Sequence, residues 1–182
     1  MKKLSFIALL FLNLSVLGQS KYLTKTGSID FEASVPSFEE VAAKNNAVTA
    51  ILNTENGEFA ALALVKAFRF KNALMEEHFN ENYAESDKYP KATFRGNINN
   101  FNFDGLGTSQ ILASVNGSLT FHGVTKDLED ILLTTKLVDG KIILSGSFKI
   151  MVSDFEIKIP KIVANKLSNE VEVDFNFELV KK

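Results

Sequence analysis

Apolar and polar residues alternate along most of the chain, and the alternation is most regular near its end. Between residues 170 and 179, valine, phenylalanine and leucine occupy every second position, and Glu, Asp and Asn occupy the positions between them. A period of two places one face of a strand in an apolar interior and the other face in water. The pattern predicts clear strands at 29–35, 111–121, 142–150 and 170–179, and weaker ones at 46–53, 57–70, 91–103 and 128–138.

About eight strands joined by short turns predict a mainly β protein. The turn signals are Asn56-Gly57, residues 104–107 and Asp139-Gly140. Antiparallel sandwiches and up-and-down barrels both have this organisation, and periodicity alone does not separate them. Several residues on the predicted inner face are small: Ala33, Gly96, Ala113, Gly117 and Gly146. In an eight-stranded barrel they either leave space for one small ligand or match the taper of a filled interior, and both interpretations stay open.

Two segments break the alternation and predict short helices. The first, residues 36–43, has Ser37 in an N-cap position with Glu40 three residues later, which is the spacing of a capping box. The second, residues 73–83, has one apolar stripe at helical spacing, formed by Leu74, Met75, His78, Phe79 and Asn82 or Tyr83. We expect the second helix to pack against the outer face or the rim of the strand at 57–70, which is apolar on both faces.

The first 18 residues have the pattern of a secretory signal peptide. Lys2 and Lys3 precede a mostly apolar run from residue 4 to residue 17, and residues 16–18 form a cleavage site of small or modest side chains. The apolar run of about 14 residues is shorter than the roughly 20 residues that a membrane span needs. We therefore expect cleavage to leave residues 19–182 as one domain in the periplasm or in the secreted fraction.

The composition of the chain argues against several classes of function. Lys plus Arg number 20 against 22 Asp plus Glu, and loss of Lys2 and Lys3 would change the net charge from −2 to −4, which gives no electrostatic basis for binding nucleic acid. Cysteine is absent, which excludes disulfides, thiolate metal sites and cysteine nucleophiles. Frequent Glu, Asp and Lys on the polar strand faces, without a recurring aromatic girdle, argue against a barrel that spans a membrane.

Candidate catalytic residues are few. The two histidines, His78 and His122, lie far apart in the chain and form no metal-ligating motif. No Gly-x-Ser-x-Gly sequence marks a hydrolase nucleophile, and Gly105-Leu106-Gly107 is better explained as a turn than as a phosphate-binding loop. The residues thus give no positive evidence for catalysis, a metal or a cofactor.

Two longer motifs are more specific than composition. Residues 78–94, HFNENYAESDKYPKATF, and residues 117–126, GSLTFHGVTK, closely resemble segments of the YceI-like family of exported polyisoprenoid-binding proteins. A third segment, residues 148–157, is similar to a later pattern of the same family, and the resemblance extends from about residue 27 to residue 180. The chain departs from the family at Ala84, where Met is usual, and at Phe121, where Ile or Val is usual, and both changes bear on the shape of a cavity.

The resemblance implies a lipocalin-like antiparallel barrel whose interior holds a long isoprenoid chain, such as a quinone or prenol tail. Sixteen Phe and no Trp suit a methyl-branched hydrocarbon. We expect the apolar lining to include Leu62, Phe94, Ile98, Val115, Leu119, Phe121 and Phe148. We expect polar or mouth positions at His78, Tyr83 and His122.

Other interpretations stay open at this point. An enzyme could act on an isoprenoid or another apolar substrate with His122 or His78 as general base. A structural or adhesive β-domain with a filled core would share the same strand pattern. His122, before a glycine in a turn, could simply bond the backbone. We expect no cofactor other than the lipid. The sequence does not distinguish a monomer from a homodimer.

Overall fold

Nine strands form one antiparallel sheet in the computed structural model, which describes residues 20–36 and 38–182. The predicted signal peptide at residues 1–18 lies outside the described residues, so it stays a prediction. The strands are β1 Lys21–Ser34, β2 Ala42–Asn53, β3 Glu58–Leu64, β4 Arg69–Phe70, β5 Lys91–Ile98, β6 Ile111–Phe121, β7 Val124–Val138, β8 Lys141–Met151 and β9 Leu167–Lys181.

The sheet closes into a barrel because β1 pairs with both β2 and β9. Between these two strands the order follows the chain through β3, β5, β6, β7 and β8, so eight strands form an up-and-down barrel. The short β4 pairs only with β2, at Ala43 and Lys44. Closure removes the exposed edges that an open sheet would present, and the barrel is the alternative that the structure selects over a sandwich.

Tight turns connect two of the strand pairs. Asp139 and Gly140 have φ of 50° and 74°, and His122 and Gly123 have φ of 50° and 77°. Two-residue hairpins with both residues in the left-handed region follow the twist of the flanking strands. The Asp139-Gly140 turn lies at one end of the barrel and the His122-Gly123 turn at the other, which we call the closed end and the open end.

The predicted helix at 73–83 is present and lies at the open end. It consists of an α-helix, α1 Ala73–His78, followed by one wider turn over Phe79–Tyr83. The Asn72 side chain caps α1 by accepting a hydrogen bond from the Leu74 amide at 2.9 Å. Where the wider turn begins, the centroid of the Phe79 ring lies 5.2 Å from the centroid of the Phe70 ring on β4. The prediction that the helix packs at the rim of 57–70 is therefore confirmed.

The prediction of another helix at residues 36–43 is wrong. β2 already begins at Ala42, and residues 38–41 are not helical; Ser37, the expected cap, lies outside the described residues. The Ala33 amide donates to the Val41 carbonyl at 2.9 Å, and the Val41 amide donates to the Ser34 hydroxyl at 3.0 Å. Pairing with β1 thus uses the backbone groups that a helix would need.

The closed half of the barrel is a filled apolar core. Its fully buried side chains include Leu52, Ile142, Leu144, Phe177 and Leu179. Phe101, Phe103 and Leu106, from the segment between β5 and β6, pack against this core. Side chains therefore fill the closed end, and the space left in the interior lies toward the open end.

Candidate functional site

A cavity occupies the half of the barrel toward the open end. Its volume is about 490 Å³, within the usual range for small-molecule sites. Inward side chains of β1, β3, β5, β6, β7, β8 and β9 form its walls, and almost all of them are apolar. Because genuinely dry cavities are apolar, these walls favour a hydrocarbon ligand over water or a polar molecule.

Phenylalanine rings form much of the deep wall. Phe175 and Phe177 stack with ring centroids 5.7 Å apart, and Phe59 lies 5.7 Å from Phe177 and 6.1 Å from Phe94. Phe148 lies 6.2 Å from Phe175. The rings present flat hydrocarbon surfaces with no polar atom, and they form the end of the cavity next to the filled core.

Glycines explain why these rings do not fill the interior. A Cβ on Gly117 would lie 2.6 Å from the Phe94 ring, and one on Gly146 would lie 2.6 Å from the Phe175 ring. Each ring therefore lies directly against the backbone of a neighbouring strand, in the space that a side chain would occupy. The small inward residues leave room for a ligand because the rings pack against the barrel wall and do not fill the interior.

The mouth of the cavity is formed by three segments at the open end. Phe38 and Val41 come from the β1–β2 connection, Met75 and Phe79 from the helix segment, and Ile157, Ile159 and Val163 from the β8–β9 connection. The polar residues of the mouth are Glu39, His78, Tyr83, Lys166 and Ser168.

Tyr83 is half-buried in this mouth. Burial raises the pKa of its phenol above the usual value of 10.0, since a charged phenolate loses hydration there. Tyr83 is thus a neutral hydrogen-bond donor and acceptor at physiological pH, beside an otherwise apolar opening.

His122 lies outside the cavity and joins three segments of the open end. Its Nδ1 is 2.9 Å from the Phe155 carbonyl oxygen, and its Nε2 is 2.9 Å from a Glu85 carboxylate oxygen. The Tyr89 ring packs edge-on against the imidazole at 4.7 Å. Both ring nitrogens already have protein partners, and only 12% of the side chain is exposed. This geometry supports a positioning role, in which His122 ties the β6–β7 turn to the segments on either side.

Most of the expected lining residues lie in the cavity wall. Phe94, Val115, Leu119, Phe121 and Phe148 all line it, and His78 and Tyr83 lie at the mouth. Whether these side chains contact a ligand stays a prediction.

Three expected positions do not line the cavity. Leu62 is on the outer face of β3, because Ala61 and Ala63 are the residues of that strand that face inward, so its assignment to the lining is wrong. Ile98 points inward but belongs to the filled core. His122 is absent from the mouth because its ring is held between Phe155 and Glu85.

The lining residues of the mouth loops could not be identified from the strand pattern. Ile157 and Ile159 were included in no strand and had no assigned role, yet both face the cavity. The only signal was a short alternation with Glu156 and Lys158. Phe175 and Phe177 were predicted to face inward but were not assigned to the lining.

Two other features are absent from the described part of the chain. Among residues 20–36 and 38–182, no group of three or more His, Asp and Glu side chains is placed to hold a metal ion. Within the same described part of the chain, no helix has both the length and the apolar character needed to cross a membrane.

Solved structures share this fold at low sequence identity. A polyisoprenoid binding domain from Saccharophagus degradans, implicated in plant cell wall breakdown, is 18% identical and superposes with a TM-score of 0.78, covering 90% of this chain and 99% of its own. Burkholderia cenocepacia BcnA is 15% identical, with a TM-score of 0.68, covering 84% of this chain and 96% of its own. No curated protein matches the chain. Residues 20–179 match the YceI-like domain, and the chain therefore belongs to the YceI-like family.

Proposed function

We propose that this protein binds a long isoprenoid lipid, of the quinone or polyprenol type, with the tail in the barrel and the head group at the mouth. The observation that carries the proposal is the cavity, which is closed at one end, apolar along its walls and polar only at its opening. One structural relative is described as a polyisoprenoid binding domain, which supports the same ligand class here.

The apolar walls of the cavity suit a flexible hydrocarbon chain. Burial of hydrocarbon contributes about 0.8 kcal/mol per methylene, and the closed sheet supplies walls that are formed before the ligand arrives, which limits the ordering cost of binding. Tyr83, His78 and Lys166 at the mouth offer hydrogen bonds to a head group. Affinity would therefore come from the tail and selectivity among lipids from the mouth.

The proposed role is transport, storage or sequestration of this lipid outside the cytoplasm. The basic start, the apolar run and the small residues before position 19 support export. N-terminal sequencing of the protein recovered from its host tests this part. We expect the mature chain to begin at residue 19, and an intact N-terminus would contradict export by a cleaved signal peptide.

A chain-length series tests the binding proposal. The dissociation constant of polyprenols is measured by fluorescence competition as isoprene units are added one by one. Affinity is expected to rise with each unit until the tail fills the cavity and then to level off, because further units stay outside. Unbranched alcohols of equal carbon number serve as the control for nonspecific hydrophobicity. An affinity that is independent of tail length, or no measurable binding, would contradict the proposal.

The fate of the ligand separates a carrier from an enzyme. The lipid is extracted after prolonged incubation with the protein and analysed by mass spectrometry. We expect it to be recovered chemically unchanged. A modified product that disappears in a His78→Gln variant would instead support the enzymatic alternative.

A further inference from the structure

The open end exposes apolar side chains from three separate segments around the cavity mouth. Phe38 in the β1–β2 connection is 44% exposed, Leu74 on α1 is 55% exposed, and Ile162 in the β8–β9 connection is 86% exposed. Single exposed apolar residues are common on protein surfaces. Here, however, they come from all three segments that form one opening, which places them on the side where a ligand enters and leaves.

The later part of the β8–β9 connection, after Glu156, has an unusual distribution of charge. Residues 157–168 contain Lys158, Lys161 and Lys166 and no acidic residue, although acids outnumber basic residues in the chain. In the described part of the chain none of these lysines forms an ion pair, whereas Lys66 and Lys71, elsewhere at the open end, pair with Asp87 and Glu40. Asp154 and Glu156 lie earlier in the connection, so only its later part is a locally basic segment on an acidic protein.

The two sides of this connection differ. Ile157, Ile159 and Val163 face the cavity mouth, while Lys158, Lys161 and Ile162 are exposed. An exposed apolar side chain flanked by lysines is the combination that penetrates the head-group region of an anionic bilayer, since the apolar group inserts and the ammonium groups stay with the lipid phosphates. The inner side meanwhile continues the apolar wall of the cavity to that surface.

We propose that the open end docks on the surface of an anionic lipid bilayer through Ile162 and the neighbouring lysines, with Phe38 and Leu74 completing the contact. In this orientation the cavity mouth faces the membrane, and an isoprenoid tail moves between bilayer and barrel without crossing water. The role of docking in lipid transfer rests on the proposed function, but binding of the protein to vesicles is measured without any isoprenoid. A bilayer fits better than a protein partner because the apolar groups are separate projections around an opening and not a continuous groove.

Vesicle co-sedimentation tests this proposal. The chain from residue 19 is used, because every strand of the closed barrel lies within it and residues 1–18 would themselves bind lipid. The vesicles contain phosphatidylglycerol and phosphatidylethanolamine, with phosphatidylcholine vesicles for comparison. Ile162→Asp and the double change Lys158→Gln with Lys161→Gln are each expected to weaken partitioning about tenfold or more. Leu112→Asp is the matched control, since Leu112 is 70% exposed and is the second residue of β6, at the closed end.

The outcomes are distinct. Docking is supported if the wild type and Leu112→Asp bind the anionic vesicles, the other two variants do not, and all retain the same melting temperature and the same affinity for a polyprenol probe in solution. It is overturned if the wild type does not bind, if Leu112→Asp loses as much binding, or if phosphatidylcholine vesicles bind equally well. It is also overturned if sedimentation velocity shows a dimer that Ile162→Asp dissociates. If the wild type does not bind polyprenol in solution, this result contradicts the proposed function and not the docking.

Discussion

Blocking the middle of the cavity should shorten the lipid tail that the barrel accepts. Ala61 faces the cavity near the middle of β3, between the inward-facing Phe59 and Ala63. A phenylalanine at this position would project its ring into empty space, so we expect Ala61→Phe to fold normally and to exclude a tail from the deeper part of the cavity. The overpacking that usually destabilises a core substitution is relieved where space already exists.

The structure sets the size of the effect. A phenylalanine side chain occupies roughly 150–250 Å² of surface, and we take the lower value as the tail contact that is lost. At about 25 cal/mol per Å², this loss weakens binding by about 4 kcal/mol. Such a change corresponds to a dissociation constant about 500-fold higher or more.

A matched variant on the same strand provides the control. Ala60 pairs with Ile51 and Arg95 and faces outward, so Ala60→Phe adds the same ring without entering the cavity. Polyprenol affinity is measured by fluorescence competition and folding by thermal unfolding. In Ala61→Phe the gain in affinity with tail length should also level off at a shorter tail. The reasoning would be refuted if a folded Ala61→Phe bound within about threefold of the wild type, or if both variants lost affinity equally.

Three further predictions concern the fold and the mouth. His122→Ala removes the 2.9 Å partner of the buried Phe155 carbonyl, and urea unfolding should show a loss of about 1–3 kcal/mol; an unchanged free energy would contradict the positioning role. Gly117→Ala would place a Cβ 2.4 Å from the Arg95 carbonyl oxygen, and we expect a loss of more than about 2 kcal/mol, which a wild-type melting curve would disprove. Because burial raises the folded-state pKa of Tyr83, its contribution to stability is fully present below pH 10.0 and is lost as pH rises through the higher folded-state pKa. Comparing wild type and Tyr83→Phe across that range should show a steeper decline in the wild type, and parallel curves would contradict it.

The strands could be predicted where one face is apolar and the other polar. In β9, Val171, Val173 and Phe175 are buried as the alternation requires. In β3 the residues Phe59 to Leu64 are apolar at every position, so the period of two gives no information about which face is inside. A shift of one residue exchanges the faces, and this is why Leu62 was assigned to the interior in place of Ala61 and Ala63.

The mouth could be predicted less well, because its contacts join distant parts of the chain. The partners of His122 are 33 and 37 residues away, at Phe155 and Glu85, and no local pattern relates them. At residues 36–43 the local capping signal favoured a helix, but the β1–β2 ladder extends into that segment, and tertiary pairing outweighs local preference.

A crystal structure of the protein with a long-chain polyprenol would show directly whether the cavity holds an isoprenoid tail. We expect continuous tail density from the Phe175 and Phe177 rings to the mouth, with the hydroxyl group near Tyr83 or Lys166. Density for the lipid only on the outer surface, with the cavity empty or filled by ordered water, would contradict it.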